Sequence, residues 1–284
     1  MLRPKNNKTK PRIKHRPFLK WAGGKFRLTD DLNRVFPKRK QCLIEPFVGA
    51  GAVFLNSHFE RYILADINPD LINLFNIVKD NVDAYIEACK PIFFAENANT
   101  AEYYYAQRDA FNQSTDPFDR SVLFLYLNRF GFNGLCRYNS KNEFNVPFGA
   151  YKTHYFPEDE LRYFAHKAQS AVFLCADFQQ TFELADKHSV IYCDPPYAPL
   201  PQDTNFTGYA GNAFGLEHQK NLAECAKKAQ KEKQISVVIS NHDTKFTREI
   251  YKGAKFKRVK VQRSISQSSE KRVKVKELIA IFKG

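Results

Sequence analysis

Ser189-Val190-Ile191-Tyr192-Cys193-Asp194-Pro195-Pro196-Tyr197 is the stretch on which the reading of this chain turns. Its first five residues form a short apolar run and predict a buried strand. Two prolines then end that strand, because neither carries an N–H for a sheet ladder. The chain leaves the sheet with backbone carbonyls and a carboxylate side by side, and an aromatic ring follows at once. Open α/β sheets bind ligands at the carboxyl ends of their strands. The combination suits a flat ring bearing an amino group, such as a nucleobase.

Upstream, Cys42 to Phe47 predicts a strand, Phe47-Val48-Gly49-Ala50-Gly51 a glycine turn, and the residues after it a helix. Arg61 to Asp66 predicts a second strand ending in an acid. Strand, glycine turn, helix, strand and acid is the order of a nucleotide-binding unit. Small residues let backbone approach a ligand, and the helix start offers free N–H groups. The turn lacks the full GxGxxG pattern, so a plain tight turn stays open. Asp66 has two readings: an acid for ribose hydroxyls, or a turn aspartate ahead of Asn68-Pro69.

Further out, a helix is predicted between Lys25 and Phe36, and helical patterns cover 70–90, 101–112 and 118–130. Loop-rich sequence follows to Gly149. Strands are predicted at 171–175, 190–193 and 235–240, with a helix over 216–231. Segments 256–261 and 275–282 alternate enough to pair as a closing hairpin. The stretch 198–215, rich in Pro, Gly, Thr and Asn, reads as a loop able to move. The expected organisation is a basic flexible arm (1–16), an α/β domain (17–67 and 158–284) and a mainly helical insertion (68–157).

Composition narrows the function. The chain has 284 residues and is 43% hydrophobic, which argues against wholesale disorder. Lys and Arg number 44 against 30 Asp and Glu, a net charge of +14. That excess points to a polyanion, most simply nucleic acid. Six cysteines, none in a CxxC pair, argue against a zinc or dithiol site. Cys175 and Cys193 read as small buried hydrophobes. Neither a signal-peptide pattern nor a membrane-length apolar run is present, so a soluble cytoplasmic protein is expected.

Taken together, FVGAG, Asp66 and DPPY resemble the amino-methyltransferases that use S-adenosylmethionine. Seven segments narrow this: FLKWAGGK (18–25), EPFVGAG (45–51), LADIN (64–68), LYLNRFGFNGLCRYN (125–139), EFNVPFGAY (143–151), YCDPPYAPL (192–200) and ISNHD (239–243). With them the chain resembles the DNA adenine methylase (Dam) family from about residue 17 onward. The resemblance implies a Rossmann-like methyltransferase sheet of seven strands with a terminal antiparallel hairpin, and 68–157 as a target-recognition insertion. It implies that Trp21, Lys25, Phe47, Gly49, Gly51, Asp66, Asp177, Phe178 and Asp194 hold S-adenosylmethionine, and that Asp194, Pro195 and Tyr197 carry the catalysis. Lys20, Phe132, Asn133, Leu135, Arg137, Pro147 and Tyr151 would contact double-stranded DNA at GATC. Many relatives have tyrosine at position 132; phenylalanine keeps the stacking face and lacks the hydroxyl. S-adenosylhomocysteine would be the product, with no metal required and a monomer as the working form.

The expected chemistry follows from adenine. Its N6 lone pair is delocalised, and Asp194 with the Pro195 carbonyl could accept both N6–H bonds. The base must first flip out of the duplex. Arg137 suits a guanine O6/N7 edge, with a phosphate contact or surface ion pair as the plainer reading. Methyl transfer to RNA adenine or to a side-chain amide, and a non-catalytic DNA-binding relative, are the competing functions.

Overall fold

The computed structural model describes residues 13–198, 214–260 and 276–284. The expected mobile loop at 198–215 and residues 261–275 therefore lie almost wholly outside the described residues. Strands β1 (Cys42–Glu45), β2 (Arg61–Asp66), β3 (Ala171–Cys175), β4 (Ser189–Cys193), β5 (Ser236–His242), β6 (Lys255–Lys260) and β7 (Lys276–Phe282) form one sheet. Its order is β3-β2-β1-β4-β5-β7-β6. The first five strands run parallel, and β7 is antiparallel to both β5 and β6. The expected seven-strand sheet with a closing hairpin is thus present.

Ten helices surround it among the described residues: α1 (Thr29–Val35), α2 (Ala52–Asn56), α3 (Pro69–Asp80), α4 (Val82–Phe93), α5 (Ala101–Gln113), α6 (Pro117–Phe130), α7 (Glu158–Ala168), α8 (Phe178–Glu183), α9 (Leu216–Lys233) and α10 (Lys245–Ile250). β4 is buried along its whole length, as a central parallel strand must be. Its side chains alternate between two cores. Val190 and Tyr192 join Leu43, Phe75 and Phe164, whereas Ile191 and Cys193 join Ile44, Phe178 and Leu222. Cys193 is therefore a core residue on the face away from Tyr192.

The continuous helix predicted over 70–90 is two helices. Asn81 sits at φ −152°, ψ 77°, and its side chain caps α4 by accepting from Ala84 N–H. Within the 68–157 span, α3 packs directly on the sheet, with Phe75 centred 5.3 Å from Phe173 of β3. α4, α5 and α6 build outward from it around Tyr85, Phe93, Tyr126 and Phe130. Residues 13–16, the end of the basic arm, are docked rather than free. His15 stacks on Tyr163 at 3.5 Å and exchanges hydrogen bonds with Asn56. Cys175 departs from expectation: it is exposed, because β3 is an edge strand and Cys175 stands at its open end.

Candidate active site

β1 and β4 are neighbours in register, with Ile44 opposite Ile191. Their carboxyl ends therefore deliver Phe47 to Gly51 and Asp194 to Tyr197 to the same rim of the sheet. β1 stops at Glu45 because Pro46 has no ladder N–H. β4 stops at Cys193 for the same reason two residues on.

Asp194 meets the N-terminal motif there. Lys25 Nζ lies 2.8 Å from Asp194 Oδ1 and donates to Gly23 O at 2.6 Å. The same ammonium stands 4.6 Å from the centre of the Tyr197 ring. Lys25 is buried, so this pair is screened little by water. Pro195 is buried beneath the corner and Pro196 is exposed. Tyr197 OH donates to Glu277 Oε2 at 3.1 Å; burial, and then Asp194, raise the phenol well above its usual range. The ring is thus a neutral stacking face.

The glycine turn lies beside this corner. Gly49 has φ +48°, and a Cβ there would come within 2.8 Å of Trp21 Nε1. The Trp21 indole therefore covers the turn directly. Gly51, at φ 74°, begins α2. Asp66 Oδ2 accepts from Gly49 N–H at 3.2 Å and Oδ1 from Asn68 N–H at 3.1 Å. Burial raises the Asp66 carboxyl, against the lowering effect of backbone N–H donors from Asn68, Gly49 and Ile67. Phe47 and Phe178 rings lie 5.8 Å apart at 23°, and Phe214 stands edge-on to Phe47 at 5.4 Å. Asp177 caps α8, accepting from Gln180 N–H at 3.1 Å. A carboxylate and an aromatic cluster on one rim, next to a glycine turn, fit an adenosine group.

The residues expected to touch DNA gather on a second surface. Lys20 Nζ sits 3.8 Å over the Tyr151 ring and donates to Arg129 O. Tyr151 OH accepts from Asn133 N–H at 2.7 Å. Asn133 is at φ 54°, in a short turn with exposed Phe132, whose N–H bonds Pro147 O. Lys20, Phe132, Asn133, Pro147 and Tyr151 therefore form one knot, with Leu135 half-buried behind it. Arg137 is exposed and held by Asn145: Nε to Oδ1 at 2.7 Å and an Nη to the carbonyl at 3.0 Å. Asn128 ties the knot to the catalytic side through two 2.8 Å bonds with the Lys20 backbone.

Several site residues carried no signal when read one at a time. Phe214 closes a stretch rich in Pro, Gly, Thr and Asn, where no periodicity marks it. Asn145 is a single amide between Phe144 and Val146, with nothing local to mark its role. Glu45, buried beneath the corner, reads as the end of a strand. Gln219, Asn241, His242 and Glu277 are brought to Asp194–Ala198 only by the fold.

A Rossmann-like sheet with a reversed terminal hairpin, and an acid-proline-proline-tyrosine corner beside a glycine turn, define a methyltransferase that acts on an amino group. The sequence model for D12 class N6 adenine-specific DNA methyltransferases matches residues 21–265. The chain is 83% identical over 282 residues to the DNA adenine methylase of Haemophilus influenzae, covering 99% of each. It is 58% identical over 270 residues to that of Escherichia coli K12, covering 95% of this chain and 96% of the relative. The chain belongs to the D12 class N6 adenine-specific DNA methyltransferase family, and it is an enzyme of that activity. Among the described residues no helix is long and apolar enough to cross a membrane, and no cluster of His, Cys, Asp and Glu is suited to a metal ion.

Proposed function

We propose that the protein methylates adenine N6 in double-stranded GATC, using S-adenosylmethionine. The observation that carries this is the meeting of Lys25, Asp194 and Tyr197 at the end of β4, beside Gly49 and Asp66. Asp66 takes the ribose, while Phe47 and Phe178 border the adenine of the cofactor, with Asp177 at the edge of that pocket. Trp21, Gly49, Gly51 and Lys25 hold its methionine end. S-adenosylmethionine, when bound, supplies a methyl carbon made electrophilic by the adjoining sulfonium, and S-adenosylhomocysteine is the product.

Asp194 and the Pro195 carbonyl accept the two N6–H bonds of the target adenine. Accepting both favours a pyramidal nitrogen with its lone pair available. A carboxylate has about four acceptor positions, so this is compatible with the Lys25 contact. Tyr197 stacks on the extruded base, a contribution of about 1–3 kcal/mol against a flipping cost of a few. Orientation inside a closed corner supplies much of the rate.

Residues 68–157 supply target recognition. Lys20, Asn133, Leu135, Pro147 and Tyr151 read the site, Phe132 fills the vacated stack, and Arg137 takes a guanine edge. Asn145 already occupies one side of the guanidinium, which leaves its far end for bidentate pairing. The basic excess grips phosphates. Free thiols throughout fit the cytoplasm, and the protein works as a monomer. Transfer of tritiated methyl groups to GATC-containing and GATC-free duplexes tests the reading. Equal incorporation into both overturns the sequence specificity, and incorporation into neither overturns the activity.

A further inference from the structure

The segment leaving the catalytic corner is held at four points by residues from three other elements. Gln219 of α9 donates from Nε2 to Pro196 O at 2.7 Å. Glu277 of β7 accepts from Tyr197 OH at 3.1 Å. Asn241 of β5 accepts the Ala198 N–H on Oδ1 at 3.1 Å. His242 of β5 places Nδ1 2.7 Å from Ala198 O. A carbonyl oxygen only accepts, so His242 Nδ1 carries the proton. The His242 ring also stands edge-on to Tyr197, 4.9 Å away at 80°.

All four holders are buried. Burying amides, an imidazole and a carboxyl is unfavourable unless they are hydrogen-bonded. Asn241 uses its whole amide. Oδ1 also accepts from His242 N–H at 2.8 Å, while Nδ2 donates to Gln219 Oε1 at 2.9 Å and to Tyr251 OH at 3.0 Å. Gln219 and Asn241 are thereby locked to each other before either reaches the corner. A strand end that served only the core would be filled with apolar residues.

We infer that Asn241 and His242, backed by Gln219, are positioning residues for methyl transfer, fixing Tyr197 and the 195–198 backbone so that Asp194 meets the target amine. None of them touches the base. The inference rests on the assignment of Asp194 and Tyr197 to catalysis.

The test uses the full chain, a GATC duplex and S-adenosylmethionine, with Asp194→Ala as reference. Asn241→Ala and His242→Leu should lower kcat by roughly 10- to 100-fold, the scale of a misplacement near 1 Å. Cofactor Kd should stay within about threefold, because the glycine turn and Asp66 are untouched. A target-site 2-aminopurine should give a weaker flipped-base signal. His242→Asn keeps an N–H near the place of Nδ1 and should recover most of the turnover. If Asn241→Ala fails to fold, the His242 pair decides. Parental kcat in folded Asn241→Ala or His242→Leu, or equal losses in His242→Leu and His242→Asn, overturns the inference. Retained turnover in Asp194→Ala overturns instead the assignment on which it rests.

Discussion

Lys25 Nζ and Asp194 Oδ1, 169 residues apart in the chain, are joined at 2.8 Å in a site where the lysine is buried. A cation at that distance favours the ionised carboxylate, and the carboxylate is the form that accepts the amine's N–H. Lys25→Met removes the cation and leaves the acid in the same corner. Turnover should then fall by roughly tenfold or more, because the acid loses the contact that holds it in place. Single-turnover kinetics on both proteins check this, and parental turnover would refute the role.

Lys20 would give the proposed DNA surface its own pH dependence. Burial, and then the nearby Arg129, push its ammonium down to about 8. A guanine edge or a phosphate favours the charged form, so binding DNA raises that value. The favourable contribution is complete below about pH 8 and is lost as pH rises through the bound-state value. Affinity for a GATC duplex should therefore weaken between pH 7.5 and pH 9.5 by roughly threefold to tenfold at constant salt. Lys20→Met should bind more weakly at pH 7.5 and lose most of that slope. Fluorescence anisotropy titrations at several pH values decide it; parallel slopes count against Lys20.

Gly49→Ala combines two faults. Its φ of +48° is strained for a residue with a Cβ, and the added methyl falls 2.8 Å from Trp21 Nε1. The indole or the turn must shift, disturbing the N–H that bonds Asp66. The expected result is a fall of about 1–3 kcal/mol in stability together with at least tenfold weaker S-adenosylmethionine binding. Calorimetric Kd and thermal unfolding measure the two. Parental affinity would mean that the turn lies away from the cofactor.

The local parts of this molecule were legible in its sequence for physical reasons. Prolines at 46, 195 and 196 end strands whatever surrounds them, and the apolar run of β4 can only be central. Where tertiary contacts decide, the reading ran out. Asn81 breaks a helix without any Gly or Pro to announce it. α7 carries its core residues, Leu161, Phe164, Ala165 and Ala168, at the spacing of one helix face, but two of the four are alanines and no apolar run marks the segment. Cys175 is exposed because β3 became an edge, which no window of sequence contains. DPPY marked the corner, but the side chains that hold it lie 23 to 80 residues away and meet it only once the sheet forms.

Glu45 offers a stability test of the same corner. Burial first, and then Asp194, push its carboxyl well above the usual range, while a backbone N–H from Phe54 and the Lys167 cation pull the other way. Oε1 is buried without a hydrogen-bond partner, so the neutral acid is the form the fold prefers. A folded-state value above the unfolded one means that the folded protein holds more protons. Its stabilising contribution is complete below about pH 4.3, the unfolded value, and declines as pH rises through the folded value, by at most about 1.4 kcal/mol per pH unit. Glu45→Gln has nearly the same shape and no proton to lose. Its stability should match that of the parent near pH 4.5 and exceed it at pH 8. Urea unfolding of both proteins across that range measures the difference, and parallel curves would show that Glu45 is charged in the fold.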